Sequence, residues 1–189
     1  HDDVVNGVWR ASLPQFQKWA LEYTKKLEDN NRYVLTIWQP HCLVGSQGYS
    51  VVPEVFDAIK NWEQRNLAIC DFITKGSNLY TEHYSVIRAD VETSDVTTHI
   101  NTGLIQALED SDYILIAGEA LNFCVANTLF DLKNLFSNAD YIKKVVLLRD
   151  AMSSVVGDPM NPDPYLLKLE TDFLSEMTAA GVQISSTVD

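Results

Sequence analysis

A thiol becomes a nucleophile where its surroundings hold it as thiolate, and one cysteine of this chain stands in such surroundings. The segment Ile114–Leu129 reads ILIAGEALNFCVANTL. An apolar run ends in Ala-Gly, turns through residues 119–123, and delivers Cys124 at the start of a helical pattern. A sulfur there faces the positive end of a helix and its unpaired backbone N–H groups, which favour thiolate. The same N–H groups can stabilise an oxyanion. A strand, a turn and a helix presenting one cysteine form the thiol counterpart of a nucleophile elbow. The competing reading is a buried structural cysteine, since free cysteine is among the most buried residue types.

Four other positions carry chemistry-bearing side chains. Lys75 closes an apolar run and precedes Gly76, where it either caps a strand end in solvent or holds a thiolate or carboxylate electrostatically. His41 is a base, a metal ligand or an ordinary loop histidine. His83, in TEHYS, is a second candidate base. Cys42 is a rival nucleophile with His41 beside it, ranked below Cys124 because sequence neighbours rarely face one another. Trp38, Tyr84 and Phe123 flank these positions; they pack the core or line a pocket suited to a flat aromatic substrate.

These residues need elements to position them. The pattern predicts a helix from Ser12 to Asn30, capped by Ser12, with Phe16, Trp19, Ala20, Tyr23 and Leu27 on one face. Trp9, Phe16 and Trp19 form an aromatic face available to a neighbour. Strands are predicted at Tyr33–Trp38 and Leu67–Thr74. Between them runs a helix from Pro53 to about Asn66, with Val55, Ile59 and Trp62 inward. Residues 76–84 read as a loop, and residues 85–94 fit no single element. A helix follows from Thr98 to about Glu109, then a strand at Tyr113–Ala117, a helix from Asn122 to about Phe136, and a strand at Lys144–Arg149. Asp158–Pro164 is a loop, Tyr165–Ala180 a helix ended by Gly181, and Val182–Ser186 a last strand. Strand and helix alternate, and the strands are short continuous apolar runs, as in a sheet covered on both faces. The expectation is an α/β, doubly wound, mostly parallel sheet with helices on both faces, in one domain spanning 1–189. In such sheets ligands sit beyond the carboxyl ends of the strands. There lie Trp38–Cys42, Lys75-Gly76 and Gly118–Cys124.

Composition narrows the function. The 189 residues are 46% hydrophobic and 21% charged, with a net charge of −12. An acidic surface argues against nucleic acid and anionic membrane as partners. No apolar stretch approaches the ~20 residues that span a bilayer, and the opening His-Asp-Asp is unlike a signal peptide. Three cysteines without a CxxC pair predict neither a disulfide scaffold nor a structural zinc, and point to a reducing, cytoplasmic setting. No G-x-G-x-x-G follows a strand, which removes a dinucleotide-binding reading.

The motifs, taken in order, resemble a known family. Trp38-Gln39-Pro40-His41-Cys42-Leu43-Val44-Gly45-Ser46-Gln47-Gly48 is similar to the W-P-x-H-C-v-x-G-t-x-G stretch of nicotinamidases. Lys75-Gly76 with Glu82-His83-Tyr84-Ser85 resembles their K-G…e-x-Y-S segment. Gly118 to Val125 with Thr128 resembles their G-x-A-x-x-x-C-V-x-x-T elbow, and Leu148-Arg149-Asp150-Ala151 the next strand with its D-A pair. Order and spacing agree from about Tyr33 to Ser186. The chain thus resembles the isochorismatase-like cysteine hydrolases, nearest the nicotinamidase/pyrazinamidase branch.

That resemblance implies roles. Cys124 would attack an amide carbonyl, form an acyl-enzyme and release ammonia; water would then release the acid, in pyridine nucleotide salvage. The N–H groups of Ala120 and Cys124 would form the oxyanion hole, aimed by a cis peptide between Glu119 and Ala120. Lys75 would stabilise the thiolate, and Trp38, Tyr84 and Phe123 would shape the pocket for a small aromatic amide. His41 would be one ligand of a divalent metal, zinc, iron or manganese. The family's opening strand, ending D-x-Q-x-D-F, supplies its general-base aspartate, and a later D-x-H segment supplies other metal ligands. Neither has a counterpart here. The expectation is therefore the C-terminal portion of a longer domain, completed by a missing N-terminal segment or companion chain and able to form homo-oligomers. The alternatives are a degenerate relative that binds a ligand or partner, and a hydrolase of another substrate in the same superfamily.

Overall fold

A computed structural model describes residues 1–30 and 33–189. Its α-helices are α1 (Asp2–Val5), α2 (Gln17–Asp29), α3 (Pro53–Asn66), α4 (Thr102–Glu109), α5 (Ala126–Leu135) and α6 (Pro164–Ala180). Its strands are β1 (Ile114–Ile116), β2 (Val145–Leu148), β3 (Gly157–Asp158), β4 (Asn161–Pro162) and β5 (Gln183–Ser185). Strands β1, β2 and β5 form a parallel sheet in that order, with Ile114 opposite Val145 and Leu147 opposite Ile184. The chain is a mixed α/β protein with a parallel sheet, as its alternating pattern predicts.

The core gathers around β2. Val145 and Leu147 are fully buried, and Leu129 and Leu132 of α5 with Phe173 and Met177 of α6 pack in the same cluster. Both faces of β2 are covered, which is why its sequence is a continuous run, VVLL, without alternation. Helix α6 begins with Asp163, whose side chain accepts from the Tyr165 N–H, and Pro164 in the first turn. It ends at Gly181, at φ +95°, a left-handed conformation that glycine adopts without cost. A Cβ at Gly181 would also stand 2.9 Å from the Lys143 side chain.

The other half of the expected sheet differs. Residues 33–38 and 68–74 adopt no regular secondary structure, Leu67 is the left-handed C-cap of α3 at φ +52°, and neither segment enters a strand ladder among the described residues. A strand is made by its neighbour as much as by its own residues, and among the described residues β1 is paired only on its β2 side. Leu67 and Ile69 are left 95% and 89% exposed, and Leu115 of β1 is 65% exposed. Helix α3 forms where expected, but it buries none of its residues, and Val55 and Trp62 lie in solvent rather than inward.

Smaller corrections follow local physics. Ser12 caps nothing: a 3₁₀ turn, Pro14–Phe16, precedes α2, and the Ala11 N–H is taken by the Gln17 side chain instead. Asn101, rather than Thr98, starts α4 by accepting from the Leu104 N–H. The short antiparallel ladder of β3 and β4, from Gly157 to Pro162, overlaps the loop expected at 158–164. Trp19 stacks on Tyr23 at 5.0 Å and meets Tyr80 edge-on at 5.9 Å, while Trp9 stays 54% exposed. No helix among the described residues is long and apolar enough to cross a membrane.

Candidate active site

The site starts where β1 ends. Gly118, at φ +118°, turns the chain out of the sheet, and the Glu119–Ala120 peptide is cis. A single π-helical turn, Leu121–Val125, then leads into α5, with the Val125 N–H donating to the Ala120 carbonyl at 3.1 Å. Local π turns of this kind recur at functional sites. The turn places Cys124, partly buried, at the head of α5. Asn122 is buried beneath it and reaches the Val155 backbone in both directions, at 2.8 and 3.0 Å, and the Leu166 carbonyl at 3.1 Å.

Lys75 arrives from the unladdered segment 68–74 on the open side. Its Nζ lies 3.6 Å from Cys124 Sγ and donates to the His83 carbonyl at 2.8 Å. That carbonyl is itself located by the α5 face that carries the cysteine. Cys124, Thr128 and Asp131 are spaced i, i+4 and i+7, so they share one helix face. Thr128 Oγ1 donates to the Cys124 carbonyl at 2.8 Å and accepts from the Val86 N–H at 3.2 Å. The buried Asp131 carboxylate accepts from Arg88 at 3.0 Å. The irregular segment 84–88 is thereby fixed against α5, and with it the carbonyl that holds Lys75.

The three aromatic residues come together. The Trp38 ring meets Phe123 nearly edge-on at 5.1 Å, and Tyr84 lies 5.5 Å from Phe123. Trp38 Nε1 donates to the Tyr84 hydroxyl. Burial pushes the Tyr84 phenol up to about 12, against the Trp38 hydrogen bond, with the charges of Glu82, Asp90 and Cys124 adding to the rise. Tyr84 is thus a neutral hydrogen-bonding wall.

The histidines and Cys42 stand apart. His41 is exposed, with Nδ1 2.7 Å from the Gln39 carbonyl and its ring 6.3 Å from Trp38. The resemblance implies a metal at His41. Among the described residues no three His, Cys, Asp or Glu side chains gather into a group able to hold one. The residues present do not fit that metal, and no step below passes through one. His83 points its Nδ1 at the Ser85 carbonyl at 2.6 Å, which requires that nitrogen to carry the proton. Its main chain, not its ring, serves the lysine. Cys42 is exposed on a loop at φ +48°. No carboxylate contacts Cys124 Sγ or Lys75 Nζ among the described residues.

The sequence names Glu82 in the K-G…e-x-Y-S segment but gives it no role. One of its oxygens, Oε2, is buried without a hydrogen-bond partner. Burial pushes its pKa up to about 7, opposed by a backbone hydrogen bond and reinforced by Asp90. It lines a cavity of about 500 Å³ with Trp9, Trp19, Tyr23 and Trp38, which neither Cys124 nor Lys75 lines. Asp131 was passed over. Its signal was an acidic residue on the same helix face as Cys124 and Thr128, next to the core position Leu132.

No family model matches the chain, and no curated protein matches it. Solved structures do. A nicotinamidase/pyrazinamidase of Acinetobacter baumanii is 19% identical, with a TM-score of 0.51 over 82% of this chain. The match covers 61% of that protein, so the chain spans less than two thirds of its length. A pyrazinamidase of Pyrococcus horikoshii, solved in complex with zinc, is 22% identical, with a TM-score of 0.46 over 92% of this chain and 88% of that one. The first likeness shows the fold alone: an α/β chain with a parallel sheet, folded as that nicotinamidase/pyrazinamidase structure is.

Proposed function

We propose that the chain carries the nucleophile of a cysteine amidohydrolase acting on a small aromatic amide of the nicotinamide or pyrazinamide type. The observation that carries this reading is the 3.6 Å approach of Lys75 Nζ to Cys124 Sγ at the carboxyl end of β1. An ammonium at that distance stabilises negative charge on the sulfur. The sulfur adds to the amide carbonyl, and the oxygen takes up the charge within reach of the Ala120 and Cys124 N–H groups. Collapse breaks the C–N bond and releases ammonia, leaving a thioester. Water then splits the thioester, returning the thiol and the free acid. Trp38, Tyr84 and Phe123 hold the ring.

Two protons must move, one to the departing nitrogen and one from the attacking water. The described residues bring no carboxylate to the sulfur for this purpose. In this reading the base arrives with a further strand, from another segment of the natural polypeptide or from a companion chain, pairing with the free edge of β1. An unpaired edge flanked by exposed apolar side chains is a template for such a strand. The expected result is ammonia release from nicotinamide or pyrazinamide by the completed domain and none by residues 1–189. Brisk turnover by residues 1–189 alone would remove the need for the external base. Cys124→Ala should abolish turnover in any active form and Cys42→Ala should not; the reverse result moves the nucleophile.

A ligand- or partner-binding protein is the second reading, favoured by the lack of a carboxylate at the thiol. It predicts slow alkylation of Cys124 by iodoacetamide. The hydrolase reading predicts alkylation at Cys124 well ahead of Cys70.

A further inference from the structure

The elbow does not stand alone on its turn. It is laid along residues 151–155 like a strip along a rail. The Gly118 N–H donates to the Ala151 carbonyl at 3.0 Å, and the Leu121 N–H to the Ser153 carbonyl at 2.9 Å. Asn122 grips the Val155 backbone. Between these anchors the Glu119 carboxylate accepts twice from Ser153, from its N–H at 3.1 Å and from its hydroxyl at 2.9 Å. The rail is itself tied down: Arg149 donates to the Met152 carbonyl at 3.1 Å and to Glu170 at 2.6 Å.

We infer that Glu119 is a positioning residue: by clamping Ser153 it fixes the orientation of the Ala120 N–H that receives the developing oxyanion. This inference rests on the cysteine-hydrolase reading. The amide in question belongs to the peptide between residues 119 and 120. Its main chain is anchored just before, at Gly118, and just after, at Leu121. The Ala120 carbonyl, which belongs to the following peptide, accepts from the Phe123 and Val125 N–H groups at 3.1 Å, and the Glu119 side chain restrains the near side of the 119–120 peptide. A carboxylate suits the task because it is acceptor-only and offers two oxygens to two donors. Glu119 and Ser153 are both exposed, so neither is needed to fill the core. Among the described residues Glu119 has no cationic partner, which leaves orienting the turn as what its side chain does.

An oxyanion hole has to be read separately from the thiol. Pyridine-3-carboxaldehyde does this: the thiolate adds to its carbonyl carbon, and the oxygen becomes a tetrahedral alkoxide that takes up a proton from water. No departing group and no general base are required, so residues 1–189 suffice. Iodoacetamide alkylates the same sulfur by displacing iodide and reads only the thiolate. Glu119→Ala should weaken aldehyde binding about fivefold to tenfold, as expected for loosening a single oxyanion donor rather than deleting it. Its alkylation rate should stay within about twofold of wild type. Glu119→Gln can still accept from the Ser153 N–H and donate to its hydroxyl, so it should recover most of the affinity. Ser153→Ala keeps the backbone donor and should lose about twofold to threefold. Aldehyde affinity unchanged in Glu119→Ala, or a Gln variant no better than the Ala variant, overturns the inference. A wild-type chain that alkylates normally but forms no thiohemiacetal instead overturns the hydrolase reading on which it rests.

Discussion

Tyr33–Trp38 and Val145–Leu148 are both short, β-branched and apolar, and they end differently. The first, YVLTIW, enters no strand ladder among the described residues, and its Val34 and Ile37 face solvent. The second, VVLL, sits at the centre of a three-stranded sheet with Val145 and Leu147 fully buried. Intrinsic preference does not separate them. The difference is that β2 has β1 on one side and β5 on the other, whereas no described strand pairs with residues 33–38, which meet the rest of the chain through side chains such as Leu35 against Tyr23 and Leu27 and Trp38 against Phe123. The same contrast divides α3, which buries nothing, from α5 and α6, which build the core. The open region therefore holds its shape with little support, and the packed region carries the stability.

The largest test of this contrast is a pair of truncations. Leu147→Ala should cost about 2–5 kcal/mol of unfolding free energy, because it empties a closed site. Leu67→Ala should change stability by less than about 0.5 kcal/mol, because that side chain is already in water. Urea unfolding followed by circular dichroism checks both. Equal losses would mean that the two regions are packed alike in solution.

Lys75 is where the open region touches the packed one. Lys75→Ala should slow iodoacetamide alkylation of Cys124 at pH 7 by about tenfold, a value set by loss of one adjacent charge. Lys75→Arg should retain part of the rate. No change in either variant would show that the open segment does not hold its lysine over the thiol.

Glu82 gives the smallest and most gradual effect. Its carboxyl is raised from 4.5 to about 7 by burial, so between those values the folded chain keeps a proton that the unfolded chain has lost. That contribution to stability is complete below pH 4.5 and is lost as pH rises to about 7. Thermal unfolding midpoints of the wild type should thus fall from pH 5 toward pH 8 more than those of Glu82→Gln. Parallel pH profiles would place the Glu82 carboxyl in water rather than in a buried setting.

How much was legible follows the same line. The elbow, α5, β2, and α6 with its glycine stop are written locally, in spacing, caps and a left-handed residue, and all stand within a few residues of their sequence-based ranges. The expected strands at 33–38 and 67–74 were read from the same kind of signal, but pairing depends on distant chain that local pattern does not contain. The segment 85–94 carried no periodicity because it is held by side chains: Thr128 takes the Val86 N–H, Asp131 takes Arg88, and Asp90 takes the Tyr84 N–H. The meeting of Lys75 with Cys124 is likewise a tertiary fact. Sequence could name both residues as strand-end groups, but the distance between them depends on the His83 carbonyl, which every residue possesses and no motif advertises.

That carbonyl has a consequence of its own. A peptide oxygen steers an ammonium without cancelling it, whereas a carboxylate in the same place would turn lysine and partner into a nearly neutral couple. The side chain at position 75 is moored by a dipole and so delivers an undiminished positive charge to the sulfur.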